Sequence, residues 1–235
     1  VASVALLTYD ILHNLPEEIQ YMWSNRWTTP TGLYVVARYA PWILQLALLS
    51  INADGTAGVF TIVDCQKWMI LQAILLQVVI STVDIILLLR VWAMYGTCRR
   101  SMLTLGLLFC VETAYMCYAL SYVTPRLQYT QNCFVTEAPR MFTSYWMVSL
   151  GFETVLFILT IFRFLEVFRV RFWSGSNIID NLVTDGTWAY TLIFGTMLVN
   201  AMLYRFIHSP MAGICFTWLL TVLSFTGSRL VLNLR

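Results

Sequence analysis

Eight ionisable residues stand inside long apolar runs: Asp10, Arg38, Asp84, Arg90, Glu112, Glu153, Arg163 and Glu166. A charge held in hydrocarbon is costly, so residues of this kind are functional candidates by default. Counted at about 1.5 Å per residue, Glu112 and Glu153 fall near the middle of their runs. Two buried like charges cannot both ionise cheaply, so where these faces meet one carboxyl is expected to keep its proton. Such a pair could move a proton or fix a polar group of a ligand. Asp10, Arg38, Asp84 and Arg90 fall toward one common end. Opposite charges at similar depth suggest Asp10–Arg38 and Asp84–Arg90 links, or one cluster of all four. That cluster reads either as a latch on the ends of helices 1, 2 and 3 or as static glue between helices. Asn200 is a further candidate for an interhelical hydrogen bond, and Arg163 with Glu166 reads as an ordinary i,i+3 pair.

The elements that must position these groups are helices in a bilayer. Of the 235 residues, 59% are hydrophobic and only 11% are charged, whereas a soluble domain carries roughly a quarter charged. Seven continuous apolar stretches are separated by six short polar breaks. With no water to satisfy the backbone, continuous runs of this kind must be helical. The expected spans are Val1 to about His13, Leu33–Ile51, Gln66–Met94, Met102–Val123, Phe142–Phe168, Thr187–Ile207 and Met211–Leu232. At about 20 residues a span, they use up the chain, which reads as one all-α membrane domain, residues 1–235. The first run is too short to span alone. Either helix 1 is trimmed at its N-terminus, the favoured reading, or it continues through Pro16 toward Trp23. The segment from Asn14 to Glu18 has the marks of a new helix start: a capping Asn14, then Pro16, then Glu17 and Glu18 at the positive end of the dipole. It predicts a short helix lying in the inner interface; a plain loop is the alternative.

Basic residues set the orientation. Arg26, Arg38, Arg90, Arg99, Arg100, Arg163, Arg169, Arg171, Arg229 and Arg235 gather at one set of ends; Lys67, Arg126, Arg140 and Arg205 lie at the other. The ten-residue side is expected to be the cytoplasm, with the N-terminus outside and the C-terminus inside. Trp and Tyr near many ends fit interfacial belts. Of six cysteines, Cys98 sits at the inner end, while Cys110, Cys117 and Cys215 sit in apolar spans, where a thiol acts as a small hydrophobe. Cys65 and Cys133 fall on the outer, oxidising side, where a disulfide between them would pin the longest outer loop across the bundle mouth.

Absences narrow the function. Two histidines on opposite faces cannot supply a zinc hydrolase site. No lysine lies mid-membrane to anchor a retinal. The phosphate-cradling, nucleophile-elbow and haem-attachment motifs are missing. No internal repeat suggests a duplicated transporter. No enzyme activity, cofactor, metal or nucleic-acid partner is expected.

The layout is similar to that of G-protein-coupled receptors: seven helices, an outer N-terminus, a Cys at the top of helix 3 with a partner in the second outer loop, and Arg90 near the bottom of helix 3. The Asp/Glu-Arg-Tyr motif itself is absent, since Leu89-Arg90-Val91-Trp92 stands there. The Asn-Pro-x-x-Tyr signature and a helix 6 proline are absent too. More closely, the chain resembles a basidiomycete fungal family of multi-pass membrane proteins of unknown function. The resemblance rests on Tyr9-Asp10, Leu15-Pro16-Glu17-Glu18-Ile19, Trp23, Arg26-Trp27, Arg38-Tyr39 and the ending from Gly227 to Arg235. It implies a fungal integral membrane protein and no particular activity.

Three functions are in play. The first is a receptor or sensor. Its small ligand would enter beneath the Cys133 loop, among Glu112, Glu153, Trp68, Tyr118, Tyr145, Trp146 and Asn200. Binding would release the Asp84–Arg90 region to a cytoplasmic signalling partner on a face bordered by Arg99, Arg100, Arg169 and Arg171. The second is a small-solute or proton carrier working through Glu112 and Glu153. The third is a membrane scaffold without a ligand. The plasma membrane is the expected location, with another membrane of the secretory pathway as the alternative.

Overall fold

The computed structural model describes residues 1–23, 28–53, 62–95, 99–129, 135–137, 140–171, 178–206 and 212–232. Among these, seven α-helices follow one another: α1 Ala2–Glu18, α2 Thr29–Ala53, α3 Ile62–Tyr95, α4 Arg99–Val123, α5 Arg140–Arg171, α6 Ile178–Phe206 and α7 Ala212–Leu232. A 3₁₀ turn, Thr124–Arg126, ends α4. Two short antiparallel strands, β1 (Gln128–Tyr129) and β2 (Val135–Glu137), form a hairpin between α4 and α5.

Among the described residues, four helices are long and apolar enough to cross a bilayer, at Thr29–Ser50, Cys65–Tyr95, Met102–Arg126 and Met141–Arg163; Trp188–Leu203 and Phe216–Leu232 are shorter apolar helices. At about 1.5 Å per residue, the 34 residues of α3 reach about 51 Å, well past a hydrocarbon core of about 30 Å.

The helix start expected at Asn14 does not form. Helix α1 runs through Pro16 and passes into a π-helical turn, Ile19–Trp23. The backbone N–H of Ile19 donates to the carbonyls of Leu15 and Pro16, so the hydrogen-bond ladder resumes within a turn of the proline and the helix is not ended by it. Asn14 caps nothing: its side-chain amide donates back one turn, to the Asp10 carbonyl at 2.8 Å and to Asp10 Oδ1 at 2.9 Å.

Chain neighbours pack on one another through α2–α3–α4–α5–α6–α7, and α7 closes the bundle by lying against α1, α2 and α3. Helix α3 is the central post, touching α2, α4, α5 and α7. Its inward residues Val79, Ile80, Val83, Ile86 and Leu87 are at most 1% exposed. Helix α4 is peripheral, with Leu103, Leu107, Val111 and Tyr118 turned outward. At the crossing of α7 with α2 and α3, Gly227 brings the backbones close: a Cβ there would sit 3.4 Å from both Ala37 Cβ and Val83 Cγ2.

Candidate functional site

Polar groups collect in two places. The first is built on α1. Asp10, Asn14 and Glu18 recur every four residues, which places them on one helical face. That face is turned to α2 and α7 together with the apolar residues next to it, Leu7 and Ile11, which are buried beside it. Arg38 of α2 enters the polar strip. Its Nη1 lies 3.2 Å from Asp10 Oδ2, its Nη2 donates to the Asp10 carbonyl at 3.0 Å, and its Nε lies 3.2 Å from Glu18 Oε2. Arg38 is 1% exposed and Glu18 is fully buried, so this is an ion-pair network inside protein, where charges survive only with partners. Tyr39 Oη donates to Glu18 Oε1 at 2.7 Å, and Trp23 Nε1 donates to the same oxygen at 3.3 Å. The π turn thereby brings Trp23 back over the carboxylate it follows.

Helix α7 completes this network. Arg229 Nη2 approaches Asp10 Oδ1 at 3.6 Å from a half-buried position, with its guanidinium 5.3 Å from the Phe225 ring centroid. Ser224 Oγ donates to the Arg38 carbonyl at 3.1 Å. Two carboxylates thus meet two guanidiniums, and the assembly is neutral. Arg90 of α3 binds the last turn of α7 as well, donating from Nε and Nη2 to the Leu230 carbonyl.

The expected Asp84–Arg90 link is therefore corrected. No such pair occurs among the described residues; Arg90 serves α7, and Asp84 points to a different neighbourhood. The expected four-residue latch divides accordingly. Asp10 and Arg38 are joined, with Glu18 and Arg229 as the partners that sequence reading missed. The spacing of four through Asp10, Asn14 and Glu18 was the available signal, obscured by a proline that reads as a helix start.

The second polar place is the interior between α3, α4 and α5. The carboxyl groups of Asp84, Glu112 and Glu153 lie close enough to act on one another electrostatically. Toward the Cys65 end, Tyr145 Oη donates to Gln77 Oε1 at 3.0 Å, and Gln77 Nε2 donates to Ser81 Oγ at 3.1 Å. Gln77, Ser81 and Asp84 share one face of α3 at intervals of four and three. Toward the Arg90 end, Tyr190 of α6 donates to the Leu87 carbonyl at 2.8 Å. Among the described residues, no group of three His, Cys, Asp or Glu is placed to hold a metal ion.

The other ligand-pocket candidates separate. Tyr145 and Trp146 are buried and meet edge to face at 5.3 Å between ring centroids. Asn200 is fully buried on α6, and Trp68 is half-buried near the start of α3. Tyr118 is 58% exposed on the outward side of α4; it does not line the interior, because the face of α4 that carries Glu112 and Met116 is the one turned inward. Arg163 pairs with Glu166 at 2.5 Å as expected, and its Nε donates to the Met94 carbonyl at 3.1 Å, tying α5 to the end of α3. Cys65 is buried and is not among the free thiols, which are Cys110 and Cys117 in the described residues. Cys98, Cys133 and the side chains of Cys215, Arg99, Arg100, Arg169 and Arg171 lie outside the described residues.

The first network is assembled almost wholly from the N-terminal segment: Asp10, Asn14, Glu18, Trp23, Arg38 and Tyr39 all precede residue 43. Residues 1–43 match the model of a family of unknown function (DUF6533). No curated protein and no solved structure matches the chain. The matched segment spans α1, the π turn and the first part of α2, so it contains this network apart from the contributions of α7.

Proposed function

We propose that the protein is a seven-helix receptor or sensor of the fungal plasma membrane, built on the receptor-like plan, with its N-terminus outside and its C-terminus in the cytoplasm. A small ligand enters from the outer side, beneath the α4–α5 connection, which a Cys65–Cys133 disulfide pins. A cytoplasmic protein reads the inner face. The observation that carries this reading is the convergence on the last turn of α7: Arg90 of α3 holds the Leu230 carbonyl, and Arg229 reaches Asp10 at 3.6 Å. Every other ionic contact of that network is buried, whereas Arg229 is 39% exposed. One weak, wet contact on top of a strong, dry one is what a releasable latch requires, because a surface ion pair contributes only about 0–1 kcal/mol.

The test is amide hydrogen exchange along residues 225–232 in lipid nanodiscs. Arg229→Gln should speed exchange there by up to about fivefold, the factor that corresponds to about 1 kcal/mol. Residues 76–87 of α3 should exchange as in the parent. If Arg229→Gln and Asp10→Asn both leave residues 225–232 unchanged, the latch and the receptor reading built on it fail. Impermeant labelling that places both chain ends on one side of the membrane would sink the orientation.

A further inference from the structure

Asp84 from α3, Glu112 from α4 and Glu153 from α5 lie within electrostatic reach of one another, with no cation among them in the described residues. They are 2%, 4% and 1% exposed. The oxygens of Glu112 and Glu153 meet no N–H or hydroxyl donor among the described residues, the neighbour of Glu153 being the Asp84 carboxyl, and essentially none of their surface is open to a water-sized sphere. A second, separate observation points to the same place. The Ser149 hydroxyl is fully buried and likewise without a partner, and it stands one turn from Glu153 on the same face of α5. The Asn200 amide of α6 is in the same condition. The stack of Phe157 on Phe194, 5.0 Å between centroids, fixes the register of these two helices. From that pair Glu153 lies about 6 Å along α5 and Ser149 about 12 Å, with Asn200 about 9 Å along α6, between them in height.

Buried donors and acceptors left unpaired are expensive, and three negative charges together in such a place are more so. What could relieve them is limited by space. Three-ligand metal geometry is absent among the described residues. An organic cation or a water needs room that the oxygens of Glu112 and Glu153 do not border. The charged and titratable groups facing the cluster are otherwise engaged. Tyr145 of α5 donates to Gln77. Tyr190 of α6 donates to the Leu87 carbonyl. Arg90 gives its guanidinium to Leu230, Arg38 of α2 is held by Asp10 and Glu18, and Cys117 is on the outward side of α4. The one ligand that fits without space is a proton.

We propose that Asp84, Glu112 and Glu153 form a proton-binding site in the bundle interior, occupied at neutral pH and emptied when α4 or α5 separates from α3. A carboxylate and a proton give a neutral carboxylic acid, which can donate to its neighbour as well as accept. Parting the helices admits water, the acids ionise, and protons leave. Proton concentration and helix separation are then linked, and acid favours the closed bundle. This stands apart from the receptor reading, since it requires no ligand and no partner.

Infrared spectroscopy of the full chain in lipid vesicles at pH 7 tests it. The parent should show the carbonyl-stretch absorption of protonated carboxylic acids, exchanging slowly in heavy water, and Asp84→Asn, Glu112→Gln and Glu153→Gln should each reduce it. A parent without the band, or a band that all three variants leave intact, overturns the proposal. Where an amide variant fails to fold, the parent alone decides. Unfolding it in weakly buffered detergent at pH 7 should release protons, because exposed carboxyls ionise near pH 4; release of none is equally fatal.

Discussion

Arg38 and Arg229 touch the same aspartate, yet removing them should have very different consequences. Arg38 is buried and serves two buried carboxylates. Arg38→Gln leaves Asp10 and Glu18 short of charge in a dry place, and breaking a buried pair costs about 3–5 kcal/mol. Arg229→Gln removes one long, half-exposed contact and should cost under about 1 kcal/mol. Denaturant or thermal unfolding in detergent ranks the two; equal losses would mean that the network is not organised around Arg38. Lysine at position 38 should rescue little. A single ammonium cannot reach Asp10 and Glu18 from opposite edges as the planar guanidinium does. A milder case is Tyr145→Phe, which takes the phenolic donor from Gln77 Oε1. An acceptor left buried and unpaired costs about 1–3 kcal/mol, and the loss should show as a lower melting midpoint. Asp10 with Arg38 was legible in the sequence because two opposite charges at one depth in apolar runs have few alternatives. Asp84 was not, because depth along one helix does not reveal which neighbour its face meets. Arg90 lies nearly two turns further along α3 and points to α7, while Asp84 turns to α4 and α5. Glu112 and Glu153 were legible as a mid-membrane pair but not as parts of a three-helix cluster.

At the scale of elements, the helices themselves were easy to see, since long apolar runs in a bilayer have only one secondary structure open to them. Their ends were harder. Asn14, Pro16 and two acids make a convincing start signal, and the chain overrides it because α1 gains more by keeping Asp10, Asn14 and Glu18 on one continuous face. Packing angles and close crossings were not legible either, and Gly227 shows why. It is one glycine among eleven, and only the finished bundle reveals that it stands against Ala37 and Val83. A methyl group there would rest at ordinary contact distance, 3.4 Å from both. Gly227→Ala is therefore expected to be neutral or stabilising, since alanine improves helix propensity by up to about 1 kcal/mol. Gly227→Leu should push α7 off α2 and α3 and cost about 1–3 kcal/mol through overpacking. Melting of the two variants in one detergent checks the sign reversal; if alanine costs as much as leucine, the crossing is tighter than described.

At the scale of the whole molecule, the described residues combine an apolar core and an apolar exterior with a set of buried polar groups. The buried set includes Asp10, Glu18, Arg38, Gln45, Gln77, Asp84, Arg90, Glu112, Glu153 and Asn200, while leucine, isoleucine, valine, tryptophan and tyrosine crowd the outside. In water that arrangement would lose the apolar burial that drives folding; in lipid it is the expected one, because tails solvate the apolar surface and the polar groups find one another within. Helix α4 makes this testable through thiols already present. Cys110 and Cys117 are both free and exposed, on a helix that also presents Leu103, Leu107 and Val111 outward. If that surface is lipid-facing, the two thiols are reachable from the bilayer and shielded from water. In sealed vesicles, a charged, membrane-impermeant maleimide should leave both unlabelled from either side, whereas an apolar maleimide that partitions into lipid should label both slowly. Cys110→Ser with Cys117→Ser supplies the background from the remaining cysteines. Rapid labelling of either thiol by the charged reagent would place that face of α4 in water, and the bundle would then need a different arrangement in the membrane.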